Sequence, residues 1–127
     1  MRIADLVRSY IITNSATQYK PALMWDDGKA PFDSLSDKVL LCRQEGKSVD
    51  AYVRRHDIEV LMFTKANAEA SDLDTLLDDA ESALEYVKAN FKLNDDLMLS
   101  ISRDITAPYL STQGRYFVRF NIDTFSQ

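Results

Sequence analysis

The sequence predicts an α+β fold in one domain spanning residues 1–127: a sheet of four to five mostly antiparallel strands with two amphipathic helices packed on one face. Three observations lead there. Two stretches carry apolar residues at helical spacing, two others alternate with the period of two that marks half-buried strands, and one long run, Tyr52 to Lys65, ends apolar on both of its faces.

The first element is a helix from about Arg2 to Thr13. Ile3, Leu6, Val7, Tyr10 and Ile11 fall at i, i+3, i+4, i+7 and i+8 and form a single stripe, and Asn14 and Ser15 are expected to end it. Tyr19 to Trp25 reads as an edge strand, because Pro21 cannot donate to a ladder. Asp26-Asp27-Gly28-Lys29 is a turn signal, and Ala30 to Lys38 an extended loop anchored by Phe32.

Val39 to Arg43 and Asp50 to Thr64 are β-rich, and Gln44-Glu45-Gly46-Lys47-Ser48 between them has the length and glycine content of a hairpin connection. The second of these strands is polar on both faces over Arg54 to Asp57 and apolar on both over Ile58 to Phe63. Its second half is therefore expected at the centre of the sheet, and its charged half is expected to reach toward a boundary between subunits.

Ser71 followed by Asp74 resembles a capping box, and Leu73, Leu76, Leu77, Ala80, Leu84, Val87 and Phe91 then repeat with helical spacing, predicting a helix from about Asp72 to Phe91. Its acidic residues Asp78, Asp79, Glu81 and Glu85 read as a solvated face. Two alternating strands follow, Leu97 to Ser102 and Tyr116 to Asp123. They are separated by Asp104 to Gly114, a stretch too long for a tight turn and carrying the apolar Tyr109 and Leu110 at its tip.

Composition narrows the function. The chain is 46% hydrophobic and 28% charged, which is ordinary globular usage, and its net charge of −5 excludes a broad electrostatic footprint for nucleic acid. The N-terminal MRIADLVRSYII lacks the apolar core of a secretory signal, and no run approaches the ~18 apolar residues of a membrane span, so residence in a reducing cytoplasm is expected. Cys42 lies in an apolar run and reads as a small buried hydrophobe.

Catalytic constellations are poorly served. His56 is the one histidine; it sits mid-strand beside Arg54 and Arg55, whose positive charge makes it a poor proton acceptor. One histidine and one cysteine cannot complete a zinc site. Three glycines, Gly28, Gly46 and Gly114, leave no phosphate-cradling loop. The remaining catalytic option is a small Mg²⁺-dependent nuclease using Asp57, Glu59 and Glu45 with Lys47, although Glu45-Gly46-Lys47 falls in the expected turn rather than along a strand. Arg54, Arg55, Arg103, Arg115 and Arg119 gather around predicted strands, where they suit acidic groups of a neighbouring subunit.

The order of elements, with Trp25-Asp26-Asp27-Gly28-Lys29-Ala30-Pro31-Phe32-Asp33 after the first helix, His56-Asp57-Ile58-Glu59-Val60 leading to Ser71-Asp72-Leu73-Asp74, and Gly114 to Phe125 closing the chain, resembles the tail terminator (minor tail protein U) family of long-tailed bacteriophages. The 104–114 stretch is less acidic than in that family. The resemblance implies a structural protein and no enzyme: a homo-oligomeric ring of six subunits that caps the tail tube, ends its polymerisation and presents a head-joining surface. It also implies partners in the tail tube protein and a head-side neck or connector protein, and a place in the virion tail after assembly in the bacterial cytoplasm. No cofactor, metal, membrane or sequence-specific nucleic acid enters this reading. The residues expected at a subunit or partner interface are Arg54, Arg55, His56, Asp57, Arg103, Tyr109, Leu110, Arg115 and Arg119. A cytosolic interaction module with another partner is the alternative to the ring.

Overall fold

A computed structural model describes residues 2–22, 35–49, 54–111 and 113–126. Its elements in chain order are α1 (Ile3–Ser15), β1 (Lys20–Ala22), β2 (Val39–Val49), β3 (Arg54–Phe63), α2 (Ala70–Ala89), β4 (Leu97–Arg103), β5 (Tyr109–Leu110) and β6 (Tyr116–Ser126). They form one open, mixed, six-stranded sheet in the order β1-β2-β3-β6-β4, with β5 also paired to β6. Only β1 with β2 is parallel; the other pairings are antiparallel. The α+β class and the predominance of antiparallel pairing thus match the sequence expectation, and the strand count rises to six through the short β5.

Helix α1 buries Ala4, Val7 and Ile11, the stripe that the spacing predicts. It runs two residues further than expected because Asn14 Nδ2 and Ser15 Oγ donate back to the carbonyls of Tyr10 and Ile11, at 2.8 and 3.0 Å. Polar side chains that compete for backbone at a helix end can equally satisfy its last carbonyls. After it, β1 is an edge strand with Pro21 in its middle, as a residue lacking an N–H requires. The expected turn at 26–29 and the Phe32 anchor lie outside the described residues.

Strands β2 and β3 form the predicted hairpin, but its turn lies further along the chain. Residues 44–48, the expected turn, instead belong to β2 and pair across to β3, with a bulge between Gln44 and Gly46 that gives Glu45 no partner of its own. The bulge accommodates Gly46 within the strand, and the connection moves to 50–53, outside the described residues. Strand β3 sits third of five, and Ile58 to Phe63 is buried on both faces, as its double-sided apolar pattern predicts.

Helix α2 begins at Ala70, with Glu69 as its N-cap rather than Ser71; the Glu69 N–H donates to Asp72 Oδ2 at 2.9 Å. It ends at Ala89, so Phe91 lies beyond it and is exposed rather than in the core; its carbonyl accepts from Leu99 N at 2.6 Å. Asn94 Oδ1 accepts from the N–H groups of Asp96 and Leu97 at 2.8 and 2.9 Å, an Asx turn that launches β4.

Both helices pack on one face of the sheet, against Leu40, Cys42, Ile58, Val60, Met62, Leu99, Val118, Phe120 and Ile122. Tyr10 OH donates to the Asn90 carbonyl at 2.8 Å, linking α1 to the end of α2, and Tyr19 OH, in the connection after α1, donates to Asp79 Oδ2 of α2 at 2.9 Å. The opposite face, which no described helix covers, holds a second cluster of Val39, Leu41, Leu61, Phe63 and Phe117. Among the described residues, no helix is long and apolar enough to cross a membrane.

Candidate interface on the open face of the sheet

The alternation along β3 sends Leu61 and Phe63 to the open face and, two residues at a time, Glu59, Asp57 and Arg55 after them. Register carries the same sidedness across the sheet: Arg43 pairs with Glu59, Glu59 with Asn121 and Asn121 with Arg103, so that these four residues form a row across β2, β3, β6 and β4. This face, open in the sense that no described helix lies over it, is therefore apolar and buried at the β1 end of the strands and charged toward the other end.

Glu59 is the centre of the charged half. Although no described helix lies over it, only 2% of its surface is exposed. Arg43 Nε donates to its Oε1 at 2.8 Å with Nη2 of the same guanidinium at 2.6 Å, and Arg119 Nη1 lies 3.6 Å from its Oε2. Burial pushes the Glu59 carboxyl above its ordinary range and the neighbouring Glu45 reinforces this, with Arg43 acting in the opposite direction. Both arginines remain partly exposed, at 43% and 35% of their side chains, so they form a lid over the acid whose outer surface meets solvent.

Beside them, Asn121 Nδ2 donates to Glu45 Oε2 at 3.2 Å and to Asp57 Oδ1 at 3.1 Å, and Arg55 Nε lies 3.5 Å from Asp123 Oδ1. At the β5 edge, the Tyr109 ring stacks on Phe117 with centroids 5.4 Å apart, and the Arg119 guanidinium lies 5.4 Å from the Tyr109 centroid. Arg119 thus links the acid at the centre to the aromatic rim.

The residues singled out from sequence divide clearly. Arg54, Arg55, Arg103, Tyr109 and Leu110 are exposed, with Leu110 at 64%, and Asp57 and Arg119 are half-buried on the open face. His56 and Arg115 are inside the fold. His56 points with Ile58 toward the helix side and is 8% exposed. Arg115, 1% exposed, donates from Nη1 to the carbonyls of Asp37 and Thr64 at 2.7 and 2.8 Å and from Nε to Gln113 Oε1 at 3.1 Å. Its side chain is consumed in joining three loops and is not presented to another molecule, because those buried carbonyls need donors that only a long side chain can bring. Burial lowers its proton affinity.

Sequence reasoning missed Arg43, Glu59 and Asn121 as members of one cluster. With the hairpin turn placed at 44–48, Arg43 does not face Glu59, and the run from Gln44 to Ser48, which has no apolar alternation, carries no local signal that shifts the register. The carboxylates of the nuclease alternative do meet, since one amide bridges Glu45 and Asp57, but Glu59 is held by two guanidinium groups. The Lys47 side chain lies outside the described atoms. Among the described residues no group of three or more His, Cys, Asp or Glu side chains is arranged to hold a metal ion.

The sequence matches no family model, and comparison with curated proteins finds no match.

Proposed function

We propose that this chain is a self-assembling structural protein of the tail-terminator kind, a ring-forming subunit that caps a phage or prophage tail tube and offers a head-joining surface. The observation that carries the reading is the open sheet face, where charged side chains are already held in fixed ion pairs with no described element packed over them. Such preorganised charge lowers the ordering cost of association and sets register between partners. The element order, and the exposed Tyr109 and Leu110 on the strand beside that face, support it.

On this reading the partners are further copies of the chain, a tail tube protein and a head-side connector, and the protein resides in the bacterial cytoplasm until it joins the virion. Native mass spectrometry and sedimentation velocity test it: a discrete ring, six subunits in the first instance, is the expected species at raised concentration. A strict monomer throughout, with no effect on tube length in an assembly reaction, would overturn it.

A further inference from the structure

We infer that the arginine row of the open face receives the acidic outer stripe of α2 from a second copy of the chain, making a head-to-tail contact; this rests on the self-assembly reading above. Two surfaces that can complement one another lie on opposite sides of the sheet: one where arginines stand exposed among Glu45, Asp57 and Asp123, the other a continuous acidic stripe. On the open side, Arg43 and Arg103 stand at the two ends of the row Arg43, Glu59, Asn121, Arg103, with Arg119 in the adjoining row. Glu59 beneath Arg43 and Arg119 is nearly inaccessible, and Arg43 and Arg103 are exposed, so what the row presents outward at its ends is guanidinium. Each guanidinium carries five donors, more than Glu59 alone accepts.

On the helix side, Asp74, Asp78, Glu81 and Glu85 recur at i, i+4, i+7 and i+11 of α2 and are all exposed, which places them in one stripe along its outer surface. A shallow groove of about 340 Å³ lies on this stripe, lined by Asp78, Glu81, Ser82 and Glu85. The dimensions correspond. Arg43 and Arg103 are separated by three strand spacings, roughly 14 Å, and the stripe from Asp74 to Glu85 spans roughly 16 Å at about 1.5 Å per residue. A helix laid across the strands therefore sets carboxylates over both ends of the row.

Net charge favours the same arrangement. Copies of a chain carrying −5 repel one another at long range, and a contact that brings guanidinium to carboxylate removes that repulsion where the copies meet. Because the two surfaces differ, the contact is heterologous, the type that closes rings when its rotation permits and otherwise extends as a filament.

The test uses two full-length variants whose mutated positions are surface groups. The face variant carries Arg43→Gln and Arg103→Glu, with glutamine chosen at 43 so that Glu59 keeps a hydrogen-bond donor; the stripe variant carries Asp78→Lys and Glu81→Lys. Thermal melts confirm that each is folded, and Arg103→Glu alone serves should the double change unfold the chain. Each variant by itself is expected to self-associate at least about tenfold more weakly than the native chain in sedimentation equilibrium. An equimolar mixture of the two is expected to regain assembly, because each variant's altered surface then meets a complementary one. Variants that assemble as the native chain does, or a mixture that fails to recover, would overturn this contact while leaving ring formation standing. A native chain that stays monomeric would remove both.

Discussion

Glu59 shows how a single side chain couples fold to surface. A carboxylate buried to this degree loses most of its hydration, and the Arg43 guanidinium offsets only part of the loss, since the carboxyl is raised above its ordinary value near 4.5. The sign of the pH dependence follows. A carboxyl with a raised folded pKa binds more protons in the folded than in the unfolded state, so its contribution falls as pH rises from about 4.5 through the raised value and is constant above it. Glu59→Gln removes this titration: in urea unfolding between about pH 4 and about pH 7, the loss of stability with rising pH should be smaller in the variant than in the native chain. Arg115 makes the contrasting case, since its partners are backbone carbonyls. Arg115→Met should cost about 3 kcal/mol by leaving the Asp37 and Thr64 carbonyls without their donor, and Arg115→Lys should restore part of it, read as denaturant midpoints.

Among the elements, the junction between β3 and β6 carries a tight backbone requirement. Gly114 has φ +70° and a Cβ there would lie 3.1 Å from Asn67 N, while Asn67 itself has φ 52°. The two left-handed residues face each other, and the Asn67 and Ala68 N–H groups donate to the Gln113 and Gly114 carbonyls at 3.1 and 2.9 Å. Gly114→Ala should destabilise by about 1 to 2 kcal/mol in a thermal or urea melt, combining the strain of a left-handed alanine with the close approach. This junction, like the hairpin register, shows where sequence stops informing. The helices, β4, β6 and the double-sided apolar half of β3 were legible because periodicity is a local property. Gln44 to Ser48 reads as a turn by composition, yet pairing with β3 overrides it, and only that register brings Arg43 to Glu59. Exposure of Arg54, Arg55, Arg103, Tyr109 and Leu110 followed from charge and loop position. Burial of Arg115 did not, because its acceptors lie 78 and 51 residues away in the chain.

At the scale of the whole molecule, the far end of β3 allows folding and the proposed assembly to be tested separately. Arg54 and Arg55 pair in register with Ser126 and Phe125 near the end of β6, and both are exposed. The Arg55 ion pair with Asp123 spans 3.5 Å with 53% of the arginine side chain in solvent, and exposed pairs of this kind contribute about 0.2–1 kcal/mol to folding. Replacing both arginines by glutamate should therefore lower stability by no more than about 1 kcal/mol, most of it from the new repulsion with Asp123. On the proposed ring reading, with this end of β3 at the subunit boundary, assembly should respond differently, because every contact in a closed ring is repeated at each subunit and the reversed charge enters all of them. The expected result is a melting temperature within a few degrees of native together with a self-association weakened by about tenfold or more. The native association should also weaken as ionic strength shortens the Debye length from about 10 Å at 0.1 M salt to about 3 Å at 1 M, and the variant should lose much of that salt response. A ring unchanged in mass and affinity, with the melting temperature alone reduced, would show that this end of β3 serves folding and that the assembly surface lies elsewhere.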